Sequence, residues 1–442
     1  MSWQTVPLRQ LIRPNNRRNR PDLPLLSVVR DKGIIKRKLD KSDNHNIIPE
    51  DLRNYKAVSK GQFVINKMKA WQGSCGVSQY GGIVSPAYYV FDLDIDNPRF
   101  FDYSIRSRAF IDEFNRISSC IRVDQWDLSL LKLKYIQFPL PPSDEQDQIV
   151  RYLDWKVSRI NKLINAKRRQ IALLQEQKRA LVNEAVTKGL HPNVPMKDSG
   201  VEWIGEIPAE WEVKKLKHIT RLISKGTTPS TIGRDILSEG EVRFIKAENI
   251  VENKLSCQPE FYIDNITNML LLRSNLEYAD ILFVIAGATI GKTAIVFEDI
   301  LPANTNQAVS FIRLIKSQLP YFIWYYLQSN YVAEKINILS VQSAQPNLAM
   351  EDLGNFYLVC PSLPEQSQIA GYLDEKCASI GKIISKLNDE IALFSEYRTC
   401  LISDVVTGKL DVRGVTVPGY EVVEDIVTEN DAVEIGDELS DE

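Results

Sequence analysis

Within this 442-residue chain, the segment Ala286-Gly-Ala-Thr-Ile-Gly-Lys-Thr293 comes nearest to a catalytic signature. It approximates G-x-x-x-x-G-K-[ST], a loop that cradles phosphate at a helix N-terminus. Ala286 replaces the first glycine, and the following Thr293-Ala-Ile-Val-Phe297 is β-branched and strand-like. The spacing therefore predicts a glycine-rich hairpin that brings Thr289 and Lys292 to a surface. Methylation of exocyclic amines calls for [NDS]-P-P-[YFW]. Asn97-Pro-Arg-Phe100 and Ser85-Pro-Ala-Tyr88 both lack the second proline, and no G-x-G loop follows a strand. A nuclease reading could start at Pro21-Asp22, but its partners, Asp154-Trp-Lys156 or Asp374-Glu-Lys376, are far away in sequence. Three scattered histidines (45, 191, 218) make no Ser/His/Asp set. The six cysteines (75, 120, 257, 360, 377, 400) show no C-x-x-C and no histidine pairing, which predicts no metal site and reduced thiols in a cytoplasmic protein. The chain is expected to catalyse nothing.

A second class of residue type suits recognition. Asn66-Lys-Met-Lys-Ala-Trp-Gln72 and Ser78-Gln-Tyr-Gly-Gly-Ile-Val-Ser85 interleave cations, amides, hydroxyls and aromatics. Such side chains read base edges and hold phosphates. The candidates are Lys67, Lys69, Trp71, Gln72, Ser78, Tyr80 and Ser85, although each alone also fits an ordinary surface loop. Later in the chain the analogous set is Lys225, Thr227, Thr228, Lys246, Thr289, Lys292, Asn304, Asn306 and Gln307. The aromatic run Tyr321–Tyr326 reads as a core helix instead. Charge is divided along the chain: residues 1–140 hold 23 Lys/Arg against 14 Asp/Glu, whereas residues 191–410 hold 20 against 26. The first half suits a polyanion partner.

The elements that must position these residues are written twice. Residues 145–154 read E-Q-D-Q-I-V-R-Y-L-D and residues 365–374 read E-Q-S-Q-I-A-G-Y-L-D, an ungapped offset of 220. Gln125, Leu128, Leu133 and Pro141 match Gln345, Leu348, Leu353 and Pro361 at that offset. Two helices are predicted over 144–189 and 364–407, preceded by prolines and ended by Gly189 and Gly408. Their seam positions are Gln146, Ile149, Leu153, Ile160, Ile164, Ile171 and Leu181, and Gln366, Ile369, Leu373, Ile380, Ile384, Leu387, Ile391 and Leu401. The four-and-three spacing is that of a coiled coil, interrupted at Lys167, Lys178 and Arg398. About 31 residues of such helix extend roughly 45 Å, somewhat more than one turn of B-DNA.

The predicted class is α+β: two mixed α/β recognition domains separated by two long helices forming an antiparallel intramolecular coiled coil, with pseudo-two-fold repetition. The predicted blocks are a first recognition domain (1–142), a helical spacer (143–190), a linker (191–210), a second recognition domain (211–362), a second helical spacer (363–410) and an acidic disordered tail (411–442). The tail carries 11 acidic residues against one basic.

The repeated E-Q-x-Q-I-x-x-Y-L-D helix start, the V-T-K-G-L and V-T-G-K-L endings, and the entry Lys197-Asp-Ser-Gly-Val-Glu-Trp-Ile-Gly-Glu-Ile-Pro208 resemble the specificity subunit of type I restriction-modification enzymes. Asn66–Gly73 with Gly82–Tyr88, and Ala288–Val296 with Asn306–Val309, resemble two types of target-recognition domain. The resemblance covers residues 1–410. It implies a non-catalytic subunit that binds double-stranded DNA, with each domain reading half of a bipartite site. It also implies two modification (methyltransferase) subunits as partners and restriction (translocase/nuclease) subunits as further ones. S-adenosylmethionine would then belong to the methyltransferase, and ATP and magnesium to the restriction subunit, with no cofactor in this chain. The reading from another class is a coiled-coil adaptor with two protein-binding domains and no DNA role.

Overall fold

The computed structural model describes residues 3–30, 32–37, 51–122, 125–340 and 347–425. His45, Gln345 and the tail after Asp425 lie outside them. The chain forms two compact units, residues 1–170 with 386–442 (unit 1) and residues 171–385 (unit 2). Among the described residues no helix is long and apolar enough to cross a membrane.

In unit 1 the mixed domain contains β1 (Gln4–Pro7), β2 (Ile12–Pro14), β3 (Leu26–Val29), β4 (Gly33–Lys36), β5 (Lys56–Val58), β6 (Phe63–Asn66), β7 (Cys75–Val77), β8 (Gly82–Val84), β9 (Tyr88–Leu93), α1 (Pro98–Ile105), α2 (Arg108–Ile117) and β10 (Gln137–Leu140). Its centre is an antiparallel sheet in the order β2-β9-β6-β7. Strand β6 is buried at every position because both faces of the sheet are covered. Phe63 and Ile65 join Phe100, Phe101 and Phe114 from the helices. Val64 and Val90 face Leu26, Val28 and Ile34 from the β3–β4 hairpin. Asn97 caps α1, its side chain accepting from the Arg99 and Phe100 amides at 3.0 and 3.1 Å, with Pro98 in the first turn. The Asn97-Pro-Arg-Phe100 segment is thus a helix start.

Helix α3 (Ser143–Lys188) follows and enters both units. The mixed domain of unit 2 contains β11 (Glu212–Lys215), β12 (Thr220–Lys225), β13 (Val242–Ile245), β14 (Ile281–Val284), β15 (Thr293–Ile295), β16 (Ala303–Thr305), β17 (Val309–Leu314), α4 (Pro320–Tyr326), α5 (Asn330–Ser340) and β18 (Tyr357–Cys360), and the second long helix is α6 (Leu363–Val406). The sheet order β12-β17-β14-β15 repeats that of unit 1. The closing ladders match in register too: Gln4 pairs with Leu140 in one unit, and Glu212 with Cys360 in the other. Phe322, Ile323, Tyr325 and Tyr326 of α4 are buried in the core.

Both long helices stop where glycine takes a left-handed conformation, φ 78° at Gly189 and 73° at Gly408. A Cβ on Gly408 would lie 3.2 Å from the Trp3 ring, and one on Gly189 would lie 3.1 Å from the Trp211 ring. Each mixed domain therefore receives the end of the helix that started from the other domain's sequence. Within unit 1, Lys167 pairs with Glu390 and Asn161 with Arg398. Rising numbers on α3 meet falling numbers on α6, so the helices run antiparallel. These contacts also satisfy Lys167 and Arg398, two of the three charged residues that interrupt the seam.

Two expectations about connecting segments change. The 191–210 linker contains a hairpin, Met196–Asp198 with Glu206–Pro208, and Ile204 and Ile207 are buried in the unit 2 core. Residues 411–425, expected as the start of a disordered tail, lie against the helices of unit 1, with Val412 only 3% exposed. The acidic composition concealed this because main-chain groups make most of the polar contacts.

Candidate nucleic-acid interface

In unit 1 three connections leave the same end of the sheet. They are the segment after β2, the loop after β6 and the turn before β9. Asn15 donates its amide to Val90 O (2.8 Å), and Ala57 donates to Arg17 O (2.8 Å). This brings exposed Arg17 and Arg18 beside β5. Lys56 in β5 is buried, donates to Tyr88 O, and lies 5.6 Å over the Tyr89 ring. Burial, then the Arg18 and Lys67 cations, depress its ammonium below the usual lysine range. Arg18, Lys56 and Lys67 therefore form a cation cluster. Asp127 lies 3.6 Å from Lys67.

In the β6–β7 loop the buried Asn66 side chain accepts the Met68 amide at 3.0 Å and starts a tight turn. Half-buried Trp71 packs on Trp126, ring centroids 5.6 Å apart. Gln72 accepts from Arg30 at 2.7 Å, and Lys69 is partly exposed. Ser85 is in the turn before β9, but its hydroxyl faces inward and accepts the Ala87 amide at 3.3 Å. Ser78 and Tyr80 lie at the opposite end of the β6–β7 hairpin. Ser78 is fully buried and bonds Tyr80 main-chain groups, and Lys36 lies 5.0 Å over the Tyr80 ring. These two do not join the others.

Unit 2 gathers its residues at the corresponding end. After β12, Gly226 donates to Val309 O (3.3 Å) and Thr227 to Thr305 O (3.2 Å). An added Cβ on Gly226 would fall 1.8 Å from Thr305 O, so this crossing requires glycine. Strands β13 and β16 are parallel with Ile245 opposite Thr305, so Lys246 and Asn306 emerge side by side. The Asn306 side chain accepts the Ala308 amide at 3.2 Å, the turn that Ser85 makes with Ala87. Ile285 donates to Ala308 O at 2.9 Å, which ties the β14–β15 loop to this turn. That loop is a hairpin with no helix after it, and Thr289 and Lys292 are partly exposed on it. Gly291 (φ 89°) would meet Ile336 of α5, just as Gly73 (φ 93°) would meet Ile111 of α2. Lys225, Thr227 and Thr228 are partly exposed and Gln307 is exposed. Lys246 is already engaged, 3.0 Å from Glu248 and 3.4 Å over the Phe261 ring. Asn304 is fully buried and donates to Asn268, Leu271 and Asn275, so it holds a loop instead of facing a ligand.

Each loop end thus carries amides and cations on a rigid sheet, with no group of three His, Cys, Asp or Glu placed to hold a metal among the described residues. Such a surface can meet phosphates and base edges. Arg17, Arg18, Lys56 and Arg30 join this surface without having stood out in the sequence. Their only available signal was the arginine-rich run at 13–20.

Residues 208–393 match the family described as the type I restriction modification DNA specificity domain. The MjaVIII specificity subunit of Methanocaldococcus jannaschii is 28% identical over 284 residues, which is 63% of each chain. The EcoBI specificity subunit of Escherichia coli is 25% identical over 325 residues, 72% of this chain and 66% of that one. The chain carries a type I restriction modification DNA specificity domain. A solved chain from work on complex assembly and conformational transition of the type I R-M system superposes with TM-score 0.64 at 16% identity. It covers 92% of this chain and 98% of that one, and establishes the fold.

In this specificity-subunit fold the repeated motif does something other than line the seam. Gln146 and Gln366, assigned from sequence to the helix seam, are each 1% exposed and face their own domains. Gln146 donates to Pro141 O (2.9 Å) and accepts the Asn97 amide (3.3 Å) at the start of α1. Gln366 donates to Pro361 O (2.9 Å) and accepts the Leu319 amide (2.9 Å) at the start of α4. The motif's aspartates act alike: Asp154 accepts from Arg99 (2.7 Å) and Tyr103 (2.9 Å), and Asp374 from Tyr325 (2.7 Å). Ile149, Leu153, Ile160, Ile164 and Leu401 are buried in the unit 1 core, and Ile369 and Leu373 in that of unit 2. Ile171, Leu181, Ile380, Ile384, Leu387 and Ile391 are half-buried, as in a two-helix seam.

Proposed function

We propose that this chain is the non-catalytic DNA-reading subunit of a type I restriction-modification complex. One observation carries the reading: two domains of the same build place different side chains on the same loop positions at one end of the same sheet. Each domain reads one half of a bipartite, asymmetric site, with cations on phosphates and amides on base edges in the major groove. The helix pair docks two modification subunits, and restriction subunits are further partners of the assembled complex. S-adenosylmethionine is held by the modification subunit, and ATP and magnesium by the restriction subunit.

Fluorescence anisotropy with duplex DNA, for the chain alone and with its cognate modification subunit, tests this between 50 and 200 mM salt. With six to ten phosphate contacts, affinity should fall by roughly 10³–10⁵ over that range. The purified chain alone should leave DNA and ATP unchanged. DNA binding that is absent or indifferent to salt would favour the adaptor reading, and turnover by the pure chain would overturn the non-catalytic one.

A further inference from the structure

Helix α3 carries a polar stripe, Asp154, Ser158, Asn161, Asn165 and Arg168, spaced four, three, four and three. The first four are 6, 5, 6 and 5% exposed. Buried polar groups are costly unless they are bonded, and residues 412–425 supply most of the partners. Val423 donates its amide to the Ser158 hydroxyl at 3.2 Å, and Asn161 donates to Val423 O at 2.9 Å. Asn165 donates to Glu424 O at 3.0 Å. Asp425 bridges Arg168 of α3 at 2.6 Å and Arg398 of α6 at 3.0 Å. Tyr420 bonds the Asp154 carboxylate. Nearer the helix start, Gln148 donates to Val412 O (3.0 Å) and Val415 O (2.7 Å). Most of these bonds read main chain, so the stripe accepts an extended peptide with an acidic residue at its far end.

The duplication did not copy this receptor. At the 220-residue offset the same positions are Asp374, Ala378, Gly381, Ser385 and Asn388, all exposed, and only the aspartate is retained. The segment itself is lightly held. Val412 is buried and Val415 and Val417 are partly so, while Tyr420 and Val422 are exposed. Few buried apolar contacts and many edge hydrogen bonds mark an element that opens at low cost.

We infer that the α3 stripe is a peptide-receptor groove occupied in cis by Val412–Asp425, and that a modification subunit engages this helix face by displacing the segment. This rests on the reading of the helix pair as the docking surface. The corresponding face of α6 is open, so the two docking steps differ.

The test is titration of the cognate modification subunit into the full chain, followed by native mass spectrometry. Two variants accompany it: a truncation after Arg413, and Asp425→Arg, which sets a third cation between Arg168 and Arg398. The full chain should bind a first subunit tightly and a second roughly tenfold or more weakly. Both variants should bind two subunits alike, and a peptide spanning 412–425 should restore the weaker second step to the truncated chain. If truncation disturbs folding by circular dichroism, the point variant decides. Equal affinities in the full chain, or a second step unchanged in Asp425→Arg, would overturn the inference and leave the docking reading standing. No binding of the modification subunit to any form would overturn both.

Discussion

At the loop end of its sheet, unit 1 places Arg17, Arg18, Lys56 and Lys67, whereas unit 2 places Lys225, Thr227, Thr228, Lys246 and Asn306. The strands beneath run in the same order, and the turns at Ser85 and Asn306 close with the same side chain-to-amide bond. The scaffold is repeated and the lining is not. In unit 1, the cations outnumber the carboxylates described near them, Asp127 beside Lys67 and Asp92 near Arg17. In unit 2, Lys246, one of the three cations Lys225, Lys246 and Lys292, is already committed to Glu248. On the proposed DNA-reading role, long-range attraction to phosphate would weigh more in unit 1, and short-range hydrogen bonding in unit 2.

The comparison breaks most visibly at Gly226. Gly226→Ala drives a methyl into Thr305 O and should destabilise unit 2 by about 3 kcal/mol in thermal unfolding. Exposed Asn16, in the matching unit 1 segment, should tolerate alanine within about 0.5 kcal/mol. Next come the anchors. Gln146→Ala and Gln366→Ala each strand a buried amide and a carbonyl, at a cost of about 2 kcal/mol by denaturant unfolding. Similar costs would confirm equivalent joints, and a twofold disparity would show that one domain is more loosely seated. A smaller effect is expected from charge removal. The double variant Arg17→Ala/Arg18→Ala should lower the slope of log affinity against log salt by about 2, and Lys225→Ala by about 1. Equal slopes would erase the distinction between the units. The smallest effect concerns the thiols. Burial pushes Cys75 up to about 12 and Cys360 up to about 11. Exposed Cys257 and Cys400 should take up an alkylating reagent in the folded chain, and Cys75 and Cys360 only on unfolding.

The duplication made the long helices and their glycine stops readable, because an ungapped offset survives wherever a helix packs the same way twice. The hairpin at 285–292 was also readable, since the β-branched residues after Lys292 favour a strand over a helix. Arg17, Arg18 and Lys56 were not, because they meet only through the pairing of strands far apart in sequence. Ser78 and Asn304 have side chains suited to reading bases, and that chemistry serves equally to bond their own chain. Gln146 and Gln366 stood out by repetition, but repetition does not say which face of the helix they serve. The segment 412–425 looked disordered by composition, although it is held through main-chain atoms that composition does not describe.

The central claim is that two equivalent frames read two different halves of one site. Mapping methylated adenines in a genome that expresses this chain with its cognate modification subunit tests it most directly, for the native chain and for Asn306→Ala with Lys225→Ala. The expected result is a bipartite motif with a fixed gap, in which the variant relaxes one half and leaves the other intact. A single uninterrupted motif, or loss of discrimination in both halves at once, would contradict it.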